Sequence, residues 1–388
     1  MSRPETQPEA NRSAERTASL VEKGRAVVRS LAIATGIGFV SLVFFFLLEG
    51  AASTALVARA VWQRQEDVNI TEERHTRFDA ELGWVSIPNT SLPDFYGPGK
   101  HLTTNDRGFR GSARIDSRIP EGRERLICSG DSFTLGHGVG DADTWCAQLA
   151  ALEPSLETVN MGQGGYGIDQ AFLWYAAEAS DLDRSAHVFA FIGDDFFRMQ
   201  RDHFLGFSKP VLSLVGGVLH VENTPVSSRN AVTRWLVQNG NLFAELASVR
   251  VLGGLAGHLA RDGSAGVPSV EATWQLAEAV FDSLASDNAR RGAQLLLVFL
   301  PTPWDYDTEL YARWRRLAGE YATRENRAFL DLVIELRALS PSEAASLFIP
   351  EGQIGAPHFN EAGNAWAATH ILDRLKVLRA TSPTHLTR

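Results

Sequence analysis

One observation predicts an α/β fold with a parallel sheet and helices on both of its faces, and a second predicts a packed globule. From Arg125 onward short apolar runs alternate with amphipathic stretches of helical length, the pattern of strand and helix following one another. In addition, 44% of the 388 residues are hydrophobic, enough to fill a sizeable core.

The first element in chain order lies well before the sheet. Residues 30–48 carry no charge, and at about 1.5 Å per residue a helix of that length roughly spans a bilayer core of about 30 Å, so the run predicts an N-terminal transmembrane helix. Arg3, Arg12, Arg16, Lys23, Arg25 and Arg29 precede it, whereas the stretch from 49 to 63 carries only Arg59, which places the amino end in the cytoplasm and the main domain outside. The expected setting is a single-pass protein of the cell inner membrane with a periplasmic or otherwise extracytoplasmic domain. A cleaved signal peptide ending near Ala51-Ala52-Ser53 and a buried core helix are the competing readings. Residues 1–29, rich in Arg, Glu, Ser and Ala, read as a disordered cytoplasmic tail.

Residues 60–124 form a polar lead-in segment with turn signals at Pro88-Asn89, Gly97-Pro98-Gly99 and Asn105-Asp106. The main domain is expected over 125–380. Its strands fall at 126–128, 157–161, 187–192, 294–300 and 328–333, and its helices near 142–152, 168–180, 270–291, 307–324 and 361–379. Residues 200–268 interrupt the alternation and read as an insertion near the active-site edge. It opens with a hairpin over 211–221, turning at Gly216-Gly217, and continues as an apolar helical region through 259.

Charge and cysteine usage remove whole classes of function. A net charge of −9 without clustered Lys and Arg does not suit nucleic acid. Cys128 and Cys146 form no CxxC pair and read as buried free thiols, a disulfide in an oxidising compartment being the alternative. His101, His137, His187 and His203 lack ligand-like spacing, so no metal is expected.

Three segments carry chemistry. The run 126–128 leads directly into Gly130-Asp131-Ser132, which puts a serine at the carboxyl end of a strand, where open α/β sheets bind their ligands. Alone, it also fits an ordinary strand-to-helix turn capped by Asp131 or Ser132. Asn160-Met-Gly-Gln-Gly-Gly165-Tyr-Gly forms a glycine-rich loop at the same edge, able to offer a backbone N–H to an oxyanion; it lacks the Lys-Ser/Thr of a phosphate cradle, and no cofactor is expected. His358, in a loop before the last helix, can return to that edge and serve Ser132 as base, or be a surface residue.

Together these segments resemble the SGNH/GDSL hydrolase family over about residues 76–380. Phe78-Asp-Ala-Glu-Leu-Gly83-Trp and Asn105-Asp-Arg-Gly108-Phe-Arg110-Gly resemble segments preceding the domain in membrane-anchored members. The resemblance implies a flavodoxin-like three-layer α/β/α sandwich. It also implies acyl transfer through a serine ester, with Ser132 as nucleophile, His358 as base, and the N–H groups of Ser132 and Gly165 holding the oxyanion. Two positions depart from the family pattern. Asp194 stands where the oxyanion asparagine belongs, and an ionised carboxylate donates no hydrogen bond; Asp195 matches a structural aspartate. Gly355 stands where an aspartate usually orients the histidine, leaving Glu351, Asp305, Asp307, Asp194 or a backbone carbonyl as its partner. The implied function is a serine esterase or O-acyltransferase acting on an acylated carbohydrate of an exported or cell-envelope polysaccharide, or on another ester. A lipase-like esterase using the insertion as a lid and a degenerate carbohydrate-binding or assembly scaffold are the other readings.

Overall fold

A computed structural model describes residues 74–204, 207–226 and 269–381, together with 25, 28–31, 33–44, 46, 47 and 50. The described part of 30–48 is helical, with Leu31, Ile33, Ile37, Phe39 and Phe44 exposed. Among the described residues no helix is long and apolar enough to cross a membrane; positions 32, 45 and 48 of the expected span, most of the tail, and the expected helical region before 259 lie outside them.

The lead-in folds as two small antiparallel pairs, β1 (Thr76–Asp79) with β2 (Gly83–Ser86) and β3 (Ser91–Leu92) with β4 (Leu102–Thr103). Next come β5 (Glu124–Ser129), α1 (Ser132–Leu135), α2 (Trp145–Leu152), β6 (Leu156–Asn160), α3 (Ile168–Glu178), β7 (Ala186–Phe191) and α4 (Gly193–Arg198). The inserted strands β8 (His203–Phe204), β9 (Phe207–Ser208), β10 (Val211–Val215) and β11 (Val218–Glu222) follow. The chain continues through α5 (Val270–Arg290), β12 (Gln294–Phe299), α6 (Trp304–Asp307), α7 (Ala312–Arg324), β13 (Ala328–Asp331), α8 (Leu332–Arg337) and α9 (Pro341–Ala345) to α10 (Glu361–Thr381).

Five of these strands make one sheet in the order β13-β12-β7-β5-β6, every pair parallel. Counted within the sheet this is the flavodoxin-like order 2-1-3-4-5, whose switch point lies between β5 and β7. Strand alternation explains the layers. Ile127, Phe189, Phe191, Leu297 and Phe299 pack with Trp174 of α3, Phe281 of α5 and Trp314 of α7 on one face. Leu126, Cys128, Val188, Ala190, Leu296 and Val298 pack with Trp145 and Leu149 of α2 and Ile371 and Leu375 of α10 on the other. All six residues of β7 are buried, as expected for a strand covered on both faces.

This alternation corrects the reading of the cysteines. Cys128 points to the face covered by α2, whose first turn carries Cys146, and the two are joined in a disulfide with Cα atoms 6.2 Å apart.

The hairpin forms as expected, β10 pairing with β11 across Gly216 and Gly217, both at positive φ. The residues that reach the serine edge, however, precede it: they lie in the short β8–β9 strap, held by the buried Lys209, whose Nζ donates to Asp169 Oδ2 and to the carbonyls of Arg198 and Arg201.

Candidate active site

The sharp exit from β5 requires a glycine. Gly130 has φ +156°, and a Cβ there would lie 2.3 Å from Ala190 O and 2.4 Å from Thr134 Oγ1. Asp131 then caps α1, its Oδ1 accepting from Phe133 N at 2.9 Å, so Ser132 is the first helical residue and its own N–H points out of the helix. The glycine-rich loop packs directly on this turn. A Cβ on Gly162 would fall 2.1 Å from Leu135 N, and Asn160 fixes the approach by donating from Nδ2 to Thr134 O at 2.8 Å while its Oδ1 accepts from Gly162 N at 3.0 Å. Gly165 follows at φ +76°. Among the described residues neither the Ser132 nor the Gly165 N–H has a hydrogen-bond partner.

His358 returns to this edge. Its Nε2 stands 2.7 Å from Ser132 Oγ and its Nδ1 stands 2.8 Å from Gly355 O. A carbonyl only accepts, so Nδ1 carries the proton and donates to it, leaving Nε2 as the acceptor facing the serine hydroxyl. The ring lies against Phe133 at 4.7 Å and His137 at 4.8 Å between centroids. Burial, reinforced by the neighbouring His137 and by the Arg198 charge, holds His358 well below the ordinary histidine value, although the Gly355 carbonyl acts the other way.

A second serine–histidine pair makes a useful contrast. Ser129 Oγ lies 2.6 Å from His187 Nε2, but both residues are fully buried in the sheet, out of reach of any substrate.

Ser132 and His358 face a cavity of about 190 Å³. Its walls are mostly apolar, from Trp84, Leu135, Phe204 and Phe207, with Gly164 and Gly165 at one side and His75, His137 and Arg198 supplying polarity. Burial depresses both additional imidazoles, His75 to about 3 and His137 to about 4, so each is neutral at physiological pH.

Three anticipated polar residues sit elsewhere. Asp194 is not among the lining residues: Tyr311 packs so closely that a Cβ on Gly193 would lie 2.1 Å from its ring, and the Tyr311 hydroxyl donates to Asp194 Oδ1 at 2.9 Å. Asp305 Oδ2 is taken by Thr302 N and Oγ1, both at 2.8 Å, and Glu351 is exposed. Neither contacts His358, whose partner is the Gly355 carbonyl. An acid at position 355 would be strained, since φ there is +96° and a Cβ would lie 2.5 Å from Gly138 Cα.

Sequence patterns did not single out His75, His137, Arg198, Phe204 or Phe207 as site residues. The lead-in also contributes more than length. Trp84 Nε1 donates to Gly164 O at 2.8 Å, Tyr166 OH donates to Trp84 O, and Tyr96 OH meets His137 Nδ1 at 3.3 Å. Arg110 reaches in to donate to Leu135 O at 3.1 Å and Val139 O at 2.8 Å, closing off the end of the turn that carries Ser132.

No family model and no curated protein matches the chain. Solved structures do. They include a member of the lipolytic protein G-D-S-L family from Veillonella parvula (12% identity, TM-score 0.35, covering 67% of this chain and 99% of that one). An acetyl xylan esterase (12% identity, TM-score 0.38, 66% and 98%) and a lipase/acylhydrolase from Enterococcus faecalis (10% identity, TM-score 0.35, 66% and 96%) are also similar.

Proposed function

We propose that the chain is a serine ester hydrolase or O-acyltransferase of the SGNH/GDSL type. The observation that carries this reading is the 2.7 Å contact between Ser132 Oγ and His358 Nε2 at the mouth of a cavity, with the tautomer fixed by Gly355 O. His358 takes the Ser132 proton as Oγ attacks the acyl carbon, and the N–H groups of Ser132 and Gly165 receive the oxyanion. The leaving alcohol takes the proton back from His358. Attack on the acyl-enzyme by water gives an esterase, and attack by a sugar hydroxyl gives a transferase.

The substrate we propose is an acylated carbohydrate of an exported or cell-envelope polysaccharide, met outside the cytoplasm by a domain tethered through 30–48. The uncharged run with its preceding arginines supports the tether, and the Cys128–Cys146 disulfide fits an oxidising compartment. A degenerate binding scaffold is the second reading, favoured by the carboxylate at 194.

A fluorophosphonate probe is expected to label wild-type protein at Ser132, located by peptide mass mapping, and an aryl acetate to be hydrolysed. An unlabelled serine favours the scaffold. Acyl transfer to an added glycan above the rate of hydrolysis separates transferase from esterase.

The pH profile follows from the base. Only neutral His358 accepts a proton, and its depressed pKa keeps it neutral below the usual histidine range, so activity is present above that pKa and lost as pH falls through it. The acid limb of kcat/KM is therefore expected to have its midpoint below 6.5. A midpoint at or above 6.5 contradicts the dry, cation-flanked setting of the imidazole.

A further inference from the structure

We propose that Arg198 is a catalytic residue, donating from its guanidinium to the oxyanion in place of the asparagine that Asp194 displaces. The inference rests on the serine-ester reading above and concerns how the same site stabilises charge.

Placement carries the argument. A single nitrogen, Nη1, donates to Asp131 Oδ2 at 3.3 Å, to Tyr166 O at 3.2 Å and to Asp195 Oδ1 at 2.8 Å. Asp131 is the residue before Ser132, and Tyr166 is the residue after Gly165. The guanidinium is thus fixed between the two segments whose N–H groups form the oxyanion site. The base of its side chain is held there too, since a Cβ on Gly167 would lie 3.0 Å from Arg198 Cβ.

Its donors are also available. Among the described residues the side chain makes its hydrogen bonds only through Nη1, so Nε and Nη2 keep their donor capacity, and Arg198 lines the cavity together with Ser132, Gly165 and His358. The guanidinium lies over the Phe204 ring at 5.0 Å, which supports the plane from the strap side. Asp194, meanwhile, is engaged by Tyr311.

The flanking carboxylates orient the guanidinium without cancelling its donors. Asp131 and Asp195 are fully buried around one cation; burial, and for Asp195 the proximity of Asp131, pushes both above the ordinary aspartate range. Burial works against the Arg198 charge as well, but Asp195 and Asp131 outweigh it and hold Arg198 above its ordinary value.

The step itself is simple. Ser132 Oγ bonds to the acyl carbon, its proton passes to His358 Nε2, and the carbonyl π pair moves onto the oxygen. Arg198 donates a hydrogen bond to that oxygen and transfers no proton.

Loss of one oxyanion donor typically lowers turnover about 10²–10³-fold. Arg198→Gln, which retains a polar side chain, is therefore expected to slow both fluorophosphonate labelling of Ser132 and kcat for an aryl acetate by about 10²-fold, with KM changing less than about threefold. Arg198→Lys keeps the cation beside Asp131 and Asp195 and is expected to fold normally with an intermediate loss. Added guanidinium ion should restore part of the labelling rate in Arg198→Ala. Labelling and turnover of a folded Arg198→Gln within about threefold of wild type overturn the proposal. So does an Arg198→Lys chain that fails to fold, since that assigns the guanidinium to holding the turn. Wild-type protein that resists the probe sinks the serine-ester reading itself, whereas wild-type labelling with an indifferent Arg198→Gln sinks only the role of Arg198.

Discussion

Ser132→Ala and His358→Ala are each expected to lower aryl-ester turnover on the order of 10⁴–10⁶-fold, and the double variant to be little worse than either alone. The effects do not add because the two residues act as one unit: without the imidazole the hydroxyl keeps its proton, and without the hydroxyl the imidazole has nothing to activate. Structure is expected to survive the first change. Ser132 sits at the first position of a one-turn helix whose cap is Asp131, so removing its hydroxyl leaves the turn's hydrogen bonds in place. Retained hydrolysis by purified Ser132→Ala protein, with melting behaviour like that of wild type, would remove Ser132 as the nucleophile.

Gly355→Asp is expected to damage the enzyme, although it places an aspartate where the resemblance leads one to look for it. Gly355 has φ +96°, and a Cβ would lie 2.5 Å from Gly138 Cα and 2.8 Å from Ile349 Cδ1. A left-handed backbone costs an ordinary residue about 1–2 kcal/mol, and forcing atoms into a packed site typically costs about 1–3 kcal/mol. The carbonyl that fixes His358 Nδ1 belongs to the same residue, so relief of the clash moves the imidazole. A lower melting temperature and at least a tenfold loss of kcat/KM, roughly the effect of a misplaced base, are expected. A faster enzyme whose acid limb moves to higher pH would mean that the carboxylate had reached Nδ1 and that the glycine is not sterically required.

The sequence discloses those parts of the site whose roles are written in local chemistry. Gly130-Asp131-Ser132 follows an apolar run, and a strand entering a tight turn needs its glycine whatever surrounds it. The glycine loop after Asn160 and the late His358 are similarly local patterns, and the alternation beyond Arg125 suffices for a doubly covered parallel sheet. Convergence is what it conceals. Arg198 reads as an ordinary charged residue at the end of a short helix, and only the approach of Asp131 and Tyr166 sets it beside the serine. Nothing between Cys128 and Cys146 reveals that strand alternation and helix phase turn both sulfurs into one layer. Asp194 was identifiable as a departure, but its orientation depended on Tyr311, far along the chain.

The lead-in bears on how the chain divides. A boundary drawn at the first strand of the large sheet keeps Ser132 and His358 yet discards Trp84, His75 and Arg110, and with them part of the cavity wall and the brace on the Ser132 turn. Part of the cavity wall and one brace of the Ser132 turn thus come from polypeptide well upstream of the sheet that lends the molecule its architecture.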